Sequence, residues 1–209
     1  MTSHKQTALF STHRQMGARM TDRAGWQTAS SFTSARQEVA RVSACAGLAD
    51  VSWMTKVDLK GAGAHSLAAL DERSRSWALG PTHLLVTCDP EAREGVLAQA
   101  SAADGVSVTE VTSVFAQLVL AGPRARDILR KLTSLNVSEA ALPDLGCGQT
   151  NLAHVRGGIV LRHDLGRAPA FHILVGRDYG EDVWDSLLHA GHEFDLAPFG
   201  IEAFETLGS

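Results

Sequence analysis

Two short apolar runs stand out along this chain: THLLVTC at residues 82–88 and VFAQLVLA at 114–121. Each is rich in β-branched or bulky aliphatic residues and too short for an average helix, so each predicts a buried strand. Between residues 55 and 60, Val57 and Leu59 alternate with Asp58 and Lys60, the pattern of a strand with one face in the core. Val106, Val108 and Val111, beyond a turn at Asp104-Gly105, predict another strand. Two more are expected at 150–162, broken by Gly157-Gly158, and at 170–175.

Helical spacing appears between these runs. Residues 34–45 form one candidate helix, with Ser34 as its cap and Glu38 in its first turns. Asp89-Pro90 opens a second, and Ala125, Ile128, Leu129 and Leu132 mark a third. Tyr179, Val183, Trp184, Leu187 and Leu188 form an apolar stripe that Gly191 ends, and Asp178 with Glu181 has the spacing of a capping box. A short last helix is expected over 200–207, and the charged stretch 71–76 reads as a loop.

One device occurs twice. Gly61-x-x-Ala64 and Gly122-x-x-Ala125 each lie between a strand and a helical stretch, the first of which ends near Leu70. The glycine permits a tight turn and the small alanine lets the following helix lie close to a sheet. The order of elements predicts an α+β fold of tandem ferredoxin-like units. Residues 1–53 show little alternation and are expected to form an arm that wraps the core through Trp26 and Trp53, ahead of an α+β domain over 54–209, the two parts making one structural unit.

Composition narrows the picture. Of the 209 residues, 44% are hydrophobic and 20% charged, an ordinary globular mixture. No apolar run approaches the ~18–20 residues that span a bilayer, and 1–23 lacks the apolar core of a signal peptide. Cys45, Cys88 and Cys147 are too far apart for a metal knuckle and odd in number, so they read as reduced thiols in a cytoplasmic protein. Residues 1–41 hold six Lys/Arg against two Asp/Glu, and the net charge is −4. Without aromatic interleaving or a helix-turn-helix pattern, that basic arm does not predict a nucleic-acid partner.

Candidate chemistry is sparse. The nine histidines lack a zincin-like pattern, and His154, His163 and His172 meet only if an antiparallel strand pair brings them together. No metal is expected. No dinucleotide loop, phosphate loop or nucleophile elbow is present. The densest cluster is Asp50–Lys56, DVSWMTK: Trp53 and Met54 suit the wall of a flat cavity, and Asp50 or Lys56 suits the polar edge of an aromatic ligand. Packing of Trp53 and Met54 beside a surface Lys56 is the alternative.

At this cluster the chain resembles the aminomethyltransferase (T-protein) family of the glycine cleavage system, which includes the folate-binding domains of sarcosine- and dimethylglycine-oxidising enzymes. The resemblance begins in TALFSTHRQMGARMTDRAGW, residues 7–26. It continues through Glu38, Arg41, AGLADVS at 46–52, Lys56 and Gly61-x-x-Ala64. A second block, with Leu120, Gly122-Pro123, Ala125, Gly148-Gln149-Thr150, Leu152-Ala153-His154, Tyr179, Val183-Trp184 and Leu187, is most similar to the small gamma-type subunit of multi-subunit sarcosine oxidase. PFGIEA at 198–203 is similar to the family's last helix in this region. The resemblance covers nearly the whole chain but only the folate-binding portion of longer members, without their C-terminal barrel.

The resemblance implies a tetrahydrofolate-binding component of one-carbon transfer from an amine donor, with Asp50, Trp53, Met54, Lys56 and Arg162 as cofactor contacts. It implies a small amine or folate as ligand and a partner subunit or a second copy as protein partner. The family's paired aspartates are replaced by DERSRSWALG at 71–80, and its Arg-x-Gly-Tyr-Thr-Gly-Glu segment by RHDLGRAP at 162–169, where Arg162 matches the arginine but nothing supplies the glutamate. These departures point to the alternative of a non-catalytic assembly subunit of an amine oxidase or demethylase.

Overall fold

The computed structural model describes residues 4–68 and 70–209. In chain order its elements are β1 (Lys5–Gln6), α1 (Phe10–Gln15), β2 (Arg19–Arg23), β3 (Trp26–Ser31), α2 (Ala35–Ala44), β4 (Gly47–Asp50), β5 (Thr55–Lys60), β6 (Ser74–Gly80), β7 (His83–Cys88), α3 (Arg93–Ser101), β8 (Ser107–Glu110), β9 (Phe115–Ala121), α4 (Ala125–Leu129), β10 (Cys147–Leu152), β11 (Val155–Arg162), β12 (Ala170–Gly176), α5 (Gly180–Gly191), β13 (Ala197–Pro198) and α6 (Ile201–Gly208). They fall into two units: the chain up to Ser52 with Phe115–Ser209, and Trp53–Val114. No described helix is long and apolar enough to cross a membrane.

In the larger unit the apolar run at 115–121 becomes a central strand. The sheet order is β10-β11-β12-β9-β4-β13, antiparallel throughout except for the parallel pair β13–β4. Both faces of β9 are covered, which is why the sequence there is continuously apolar instead of alternating. One face packs Leu48, Leu118, Leu120, Phe171 and Ile173 against Ile128 and Leu129 of α4 and Val183, Trp184 and Leu187 of α5. A second sheet, β1-β3-β2, also belongs to this unit. It lies within 1–53, where the lack of apolar alternation suggested no strands.

The smaller unit is a four-stranded antiparallel sheet, β6-β7-β5-β8. Val57, Leu59, Leu84 and Val86 form its core with Val96 and Ala100 of α3. Its chain order, strand–turn–strand–strand–helix–strand, is that of a ferredoxin-like unit in which a 3₁₀ turn, Ala64–Leu67, stands where a helix was expected. The larger unit repeats the plan from β9 to α5. The fold is therefore α+β, of tandem ferredoxin-like units, with no closed barrel among the described residues.

The Gly-x-x-Ala device is explained by close backbone approach. Gly61 and Gly122 have φ of 139° and 113°. A Cβ on Gly61 would stand 2.0 Å from the Gly105 carbonyl oxygen, and one on Gly122 2.4 Å from that of Val42. Ala64 and Ala125 are fully buried behind them.

Three local expectations are revised. The stretch expected as a loop at 71–76 instead enters β6 at Ser74. Its charges are compatible with a strand because β6 is an edge, where polar side chains also discourage unwanted pairing. The run 150–162 is a hairpin that turns at Ala153, which has φ of 50°, while Gly157-Gly158 lie inside β11. Glu181 does not close a capping box; its carboxylate accepts a 2.8 Å bond from the Thr12 hydroxyl. Ser34 does cap α2, accepting a 3.4 Å bond from the Gln37 N–H.

Glu38 ties distant parts of the larger unit together. One carboxylate oxygen accepts the backbone N–H groups of Phe32 (2.6 Å) and Thr33 (2.8 Å), and the other accepts that of Gly200 (2.9 Å). The residue is buried. It joins the exit of β3 to the start of α6, and α6 in turn packs on α2 and β3. His13 is the second buried polar anchor. Its ring meets Phe32 and Trp184 edge-on at centroid distances of 5.4 and 5.0 Å, and neither ring nitrogen has a hydrogen-bond partner. Burial holds its imidazole below the ordinary value, opposed by the charge of Asp50.

Glu38→Ala strands three backbone donors and is expected to lower unfolding stability by about 3 kcal/mol or more, read by urea denaturation; a loss below about 1 kcal/mol would show that water replaces the carboxylate. His13 takes up its proton at lower pH in the folded chain than in the unfolded one, where it does so near about pH 6.5, so stability falls as the pH drops through that value, by at most about 1.4 kcal/mol per pH unit. Asp22, Asp58 and Glu202, held below the usual carboxylate range, lose their contribution only at lower pH. Stability measured from pH 7 to 5 is expected to slope in the native chain and to flatten in His13→Leu.

Candidate functional site

A line of buried polar groups crosses the centre of the otherwise apolar six-stranded sheet. It starts at Asp50, the last residue of β4, which by register shares a sheet face with Leu48 and Leu118. Asp50 Oδ1 accepts the Ser52 backbone N–H at 2.9 Å and the Ser52 hydroxyl at 2.5 Å. The Ser52 oxygen in turn accepts the backbone N–H of Gln117 at 3.0 Å. The Gln117 side chain then meets His172 of β12, Nε2 to Nδ1, at 3.0 Å. Beyond it, His172 stacks with His163 at 6.1 Å and meets Phe204 of α6 edge-on at 6.4 Å. Polar groups in such a setting are costly unless their bonds are made, so a connected line of them marks a specified site.

At the head of this line valence is left over. Asp50 Oδ2 is buried and has no hydrogen-bond partner, as have both ring nitrogens of His13, the imidazole on which the Asp50 charge acts. A buried carboxylate oxygen without a donor is a rare and expensive feature that a ligand N–H would satisfy. Burial keeps the imidazole beside it uncharged at neutral pH, so it adds no positive charge next to the carboxylate. The sequence signal for this arrangement was Gln117, a polar residue inside an apolar run; the spacing of His13, Gln117 and His172 along the chain carried none.

The other sequence candidates are placed differently. Trp53, Met54 and Lys56 belong to the smaller unit, and Trp53 and Lys56 are buried. Lys56 Nζ donates to the Met54 carbonyl at 2.7 Å, and its backbone N–H donates to the Thr112 hydroxyl at 3.1 Å. Arg162, on β11, is only 3% exposed. Its Nε and Nη2 bond both oxygens of Asp164 (3.1 and 3.0 Å), Nη2 also bonds Glu139 (3.1 Å), and Nη1 bonds the Leu142 carbonyl (3.1 Å). The bonds from Asp164, and after them Glu139, raise its pKa against the effect of burial. Its guanidinium thus holds the 139–146 loop to the sheet.

Asp58, in the smaller unit, bonds both His83 and Lys60, the latter at 2.7 Å, and this cluster was not singled out in the sequence. Burial pushes the Asp58 carboxyl up, but the bonds from Lys60 and His83 outweigh it. The cysteines are free; burial pushes the Cys88 thiol up to about 11 and also raises Cys147, so neither is a ready nucleophile. His154 lies 3.9 Å from Asp182, apart from the His163–His172 pair.

Comparison with known proteins gives this architecture a family. The model of the GCVT N-terminal domain matches residues 9–71 and 76–208. An aminomethyltransferase of Acidobacterium capsulatum is 26% identical over 97% of this chain and 61% of its own length. In structure, the chain matches glycine cleavage system aminomethyltransferase T from Bartonella henselae with a TM-score of 0.79 at 18% identity, over 99% of this chain and 62% of that one. A chain of heterotetrameric sarcosine oxidase from Corynebacterium sp. U-96 matches with a TM-score of 0.60 at 21% identity, over 77% of this chain and 92% of that one. Sarcosine oxidase is thus a more distant relative than the gamma-type resemblance suggested, and the chain spans less than two thirds of the length of the aminomethyltransferases. With nearly every described element inside the matched residues, the chain belongs to the GCVT N-terminal domain family.

Proposed function

We propose that this chain is a tetrahydrofolate-binding, aminomethyltransferase-like component of one-carbon transfer from an amine donor, and that it works with a protein partner. The observation that carries the reading is Asp50 Oδ2, a buried acceptor with no donor, at the head of a polar line in a fold whose relatives are aminomethyltransferases. A pterin presents an N–H-bearing edge, and a carboxylate oxygen with free lone pairs fits it. Arg162 does not fit the same task, because its donors are already taken by Asp164, Glu139 and Leu142.

Bound tetrahydrofolate would supply the amine that takes up the one-carbon unit. Asp50 would orient that ligand by accepting its N–H, with Ser52 and Gln117 fixing the carboxylate so that Oδ2 stays aimed. His13, kept uncharged at neutral pH by its burial, would place no competing positive charge near Asp50. Trp53, Met54 and Lys56 are proposed as further contacts on the strength of the family resemblance alone.

A second reading is a small, gamma-type assembly subunit of a multi-subunit amine-oxidising enzyme. It is favoured by the 92% coverage of a chain from a heterotetrameric oxidase and by the closed bonding of Arg162.

Isothermal titration with tetrahydrofolate, on the chain alone and with any co-purifying protein, separates these readings. Saturable binding is expected in the native chain. Asp50→Asn keeps the Ser52 bonds but turns the free acceptor into a donor; it is expected to weaken binding about 10-fold or more with an unchanged melting temperature. Absence of binding in both samples would leave only the assembly role.

A further inference from the structure

We propose that the pocket between the end of α4 and the 133–138 loop is a binding site for a phosphate-class oxyanion, inorganic phosphate or the phosphoryl end of a small soluble ester. The cavity has a volume of 330 Å³, enough for a phosphoryl group and a short stub. Its lining carries two guanidinium groups and one side-chain amide. Arg126 and Arg130 enter from the helix side, and Thr133, Asn136 and Ser138 from the loop side.

The two arginines stand four residues apart and so occupy one face of the helix, where like charges repel. Arg126 is anchored: it donates to the Val137 carbonyl, lies 5.6 Å over the Phe171 ring and reaches Glu139 at 3.4 Å. Glu139 is 80% exposed and is shared with Arg162, so it offsets the pair poorly. The Arg130 guanidinium has no hydrogen-bond or ion-pair partner among the described residues. It is not needed as a cap either, since the carbonyls of Arg126, Ile128 and Leu129 already accept the N–H groups of residues 130, 131 and 132.

The loop side adds donors without a competing acceptor charge. The Asn136 side-chain oxygen is occupied by the Ser138 N–H at 3.1 Å, which leaves the amide NH₂ as the group it offers. Thr133 is held by Thr150 at 2.7 Å and by the Leu135 N–H at 3.1 Å, which fixes the loop opposite the helix. Donors that face each other across a cavity suit a tetrahedral oxyanion better than a planar carboxylate, and guanidinium forks add charge-assisted bonds.

The test is a titration of the ¹⁵N-labelled chain with sodium phosphate at constant ionic strength, with chloride and acetate as parallel arms. Phosphate is expected to give saturable amide shifts confined to residues 126–138, with little response to chloride and a weaker one to acetate. Arg130→Gln, whose side chain anchors nothing, is expected to weaken phosphate binding at least tenfold without changing the melting temperature; Arg130→Lys is expected to fall between. Shifts that do not saturate, an acetate response equal to that of phosphate, or native affinity in Arg130→Gln would overturn the assignment.

Discussion

Three backbone N–H groups from two distant stretches of chain end on the single carboxylate of Glu38, and the larger unit depends on that convergence. The connection from β3 into α2 and the entry into α6 are both places where backbone donors lack partners within their own element. A buried carboxylate satisfies them together and so sets the position of α6 relative to β3. The parallel pairing of β13 with β4, and the bond from the Phe199 N–H to the Leu48 carbonyl at 3.0 Å, continue the same seam. The end of the matched domain is therefore part of its first sheet rather than an appendage to it.

A sheet anchored in this way tolerates a polar line through its middle. Asp50, Ser52, Gln117 and His172 cross β4, β9 and β12 with each link a bond of ordinary length, so the line costs little where it is closed. At its head, Asp50 Oδ2 is left open beside His13. The two features have opposite consequences. Closed bonds hold the strand ends still, and the open valence gives a ligand something to satisfy. Arg162 shows the contrast: the same kind of family-matching residue is fully engaged within the protein, and its role is to hold a loop.

The parts of the fold that were readable in advance are those specified by neighbouring residues. The runs at 82–88 and 114–121, the Ser34-capped helix and the two Gly-x-x-Ala turns all follow from local spacing, and each corresponds to an element of the structure. What was not readable depends on neighbours far away in the chain. β6 is charged because it is an edge, and β2 and β3 lack apolar alternation, so periodicity identified none of them. Glu38 looked like an early-helix acid; only its partners, at residues 32, 33 and 200, make it a clamp. Thr12 and Glu181 bond each other across the chain, and that long-range partner displaced the local capping box.

By itself, the sequence determined the α+β class, the two Gly-x-x-Ala turns and the resemblance that leads to the family, because hydrophobic period, glycine stereochemistry and motif spacing are local properties. Tertiary structure alone decided which polar groups are closed and which are open. On paper Asp50 and Arg162 are both candidate ligand residues, and His13 is not singled out. Burial and hydrogen-bond partners, which arise only when strands and loops meet, leave Asp50 and His13 with unpartnered buried atoms, while every side-chain nitrogen of Arg162 is bonded within the protein.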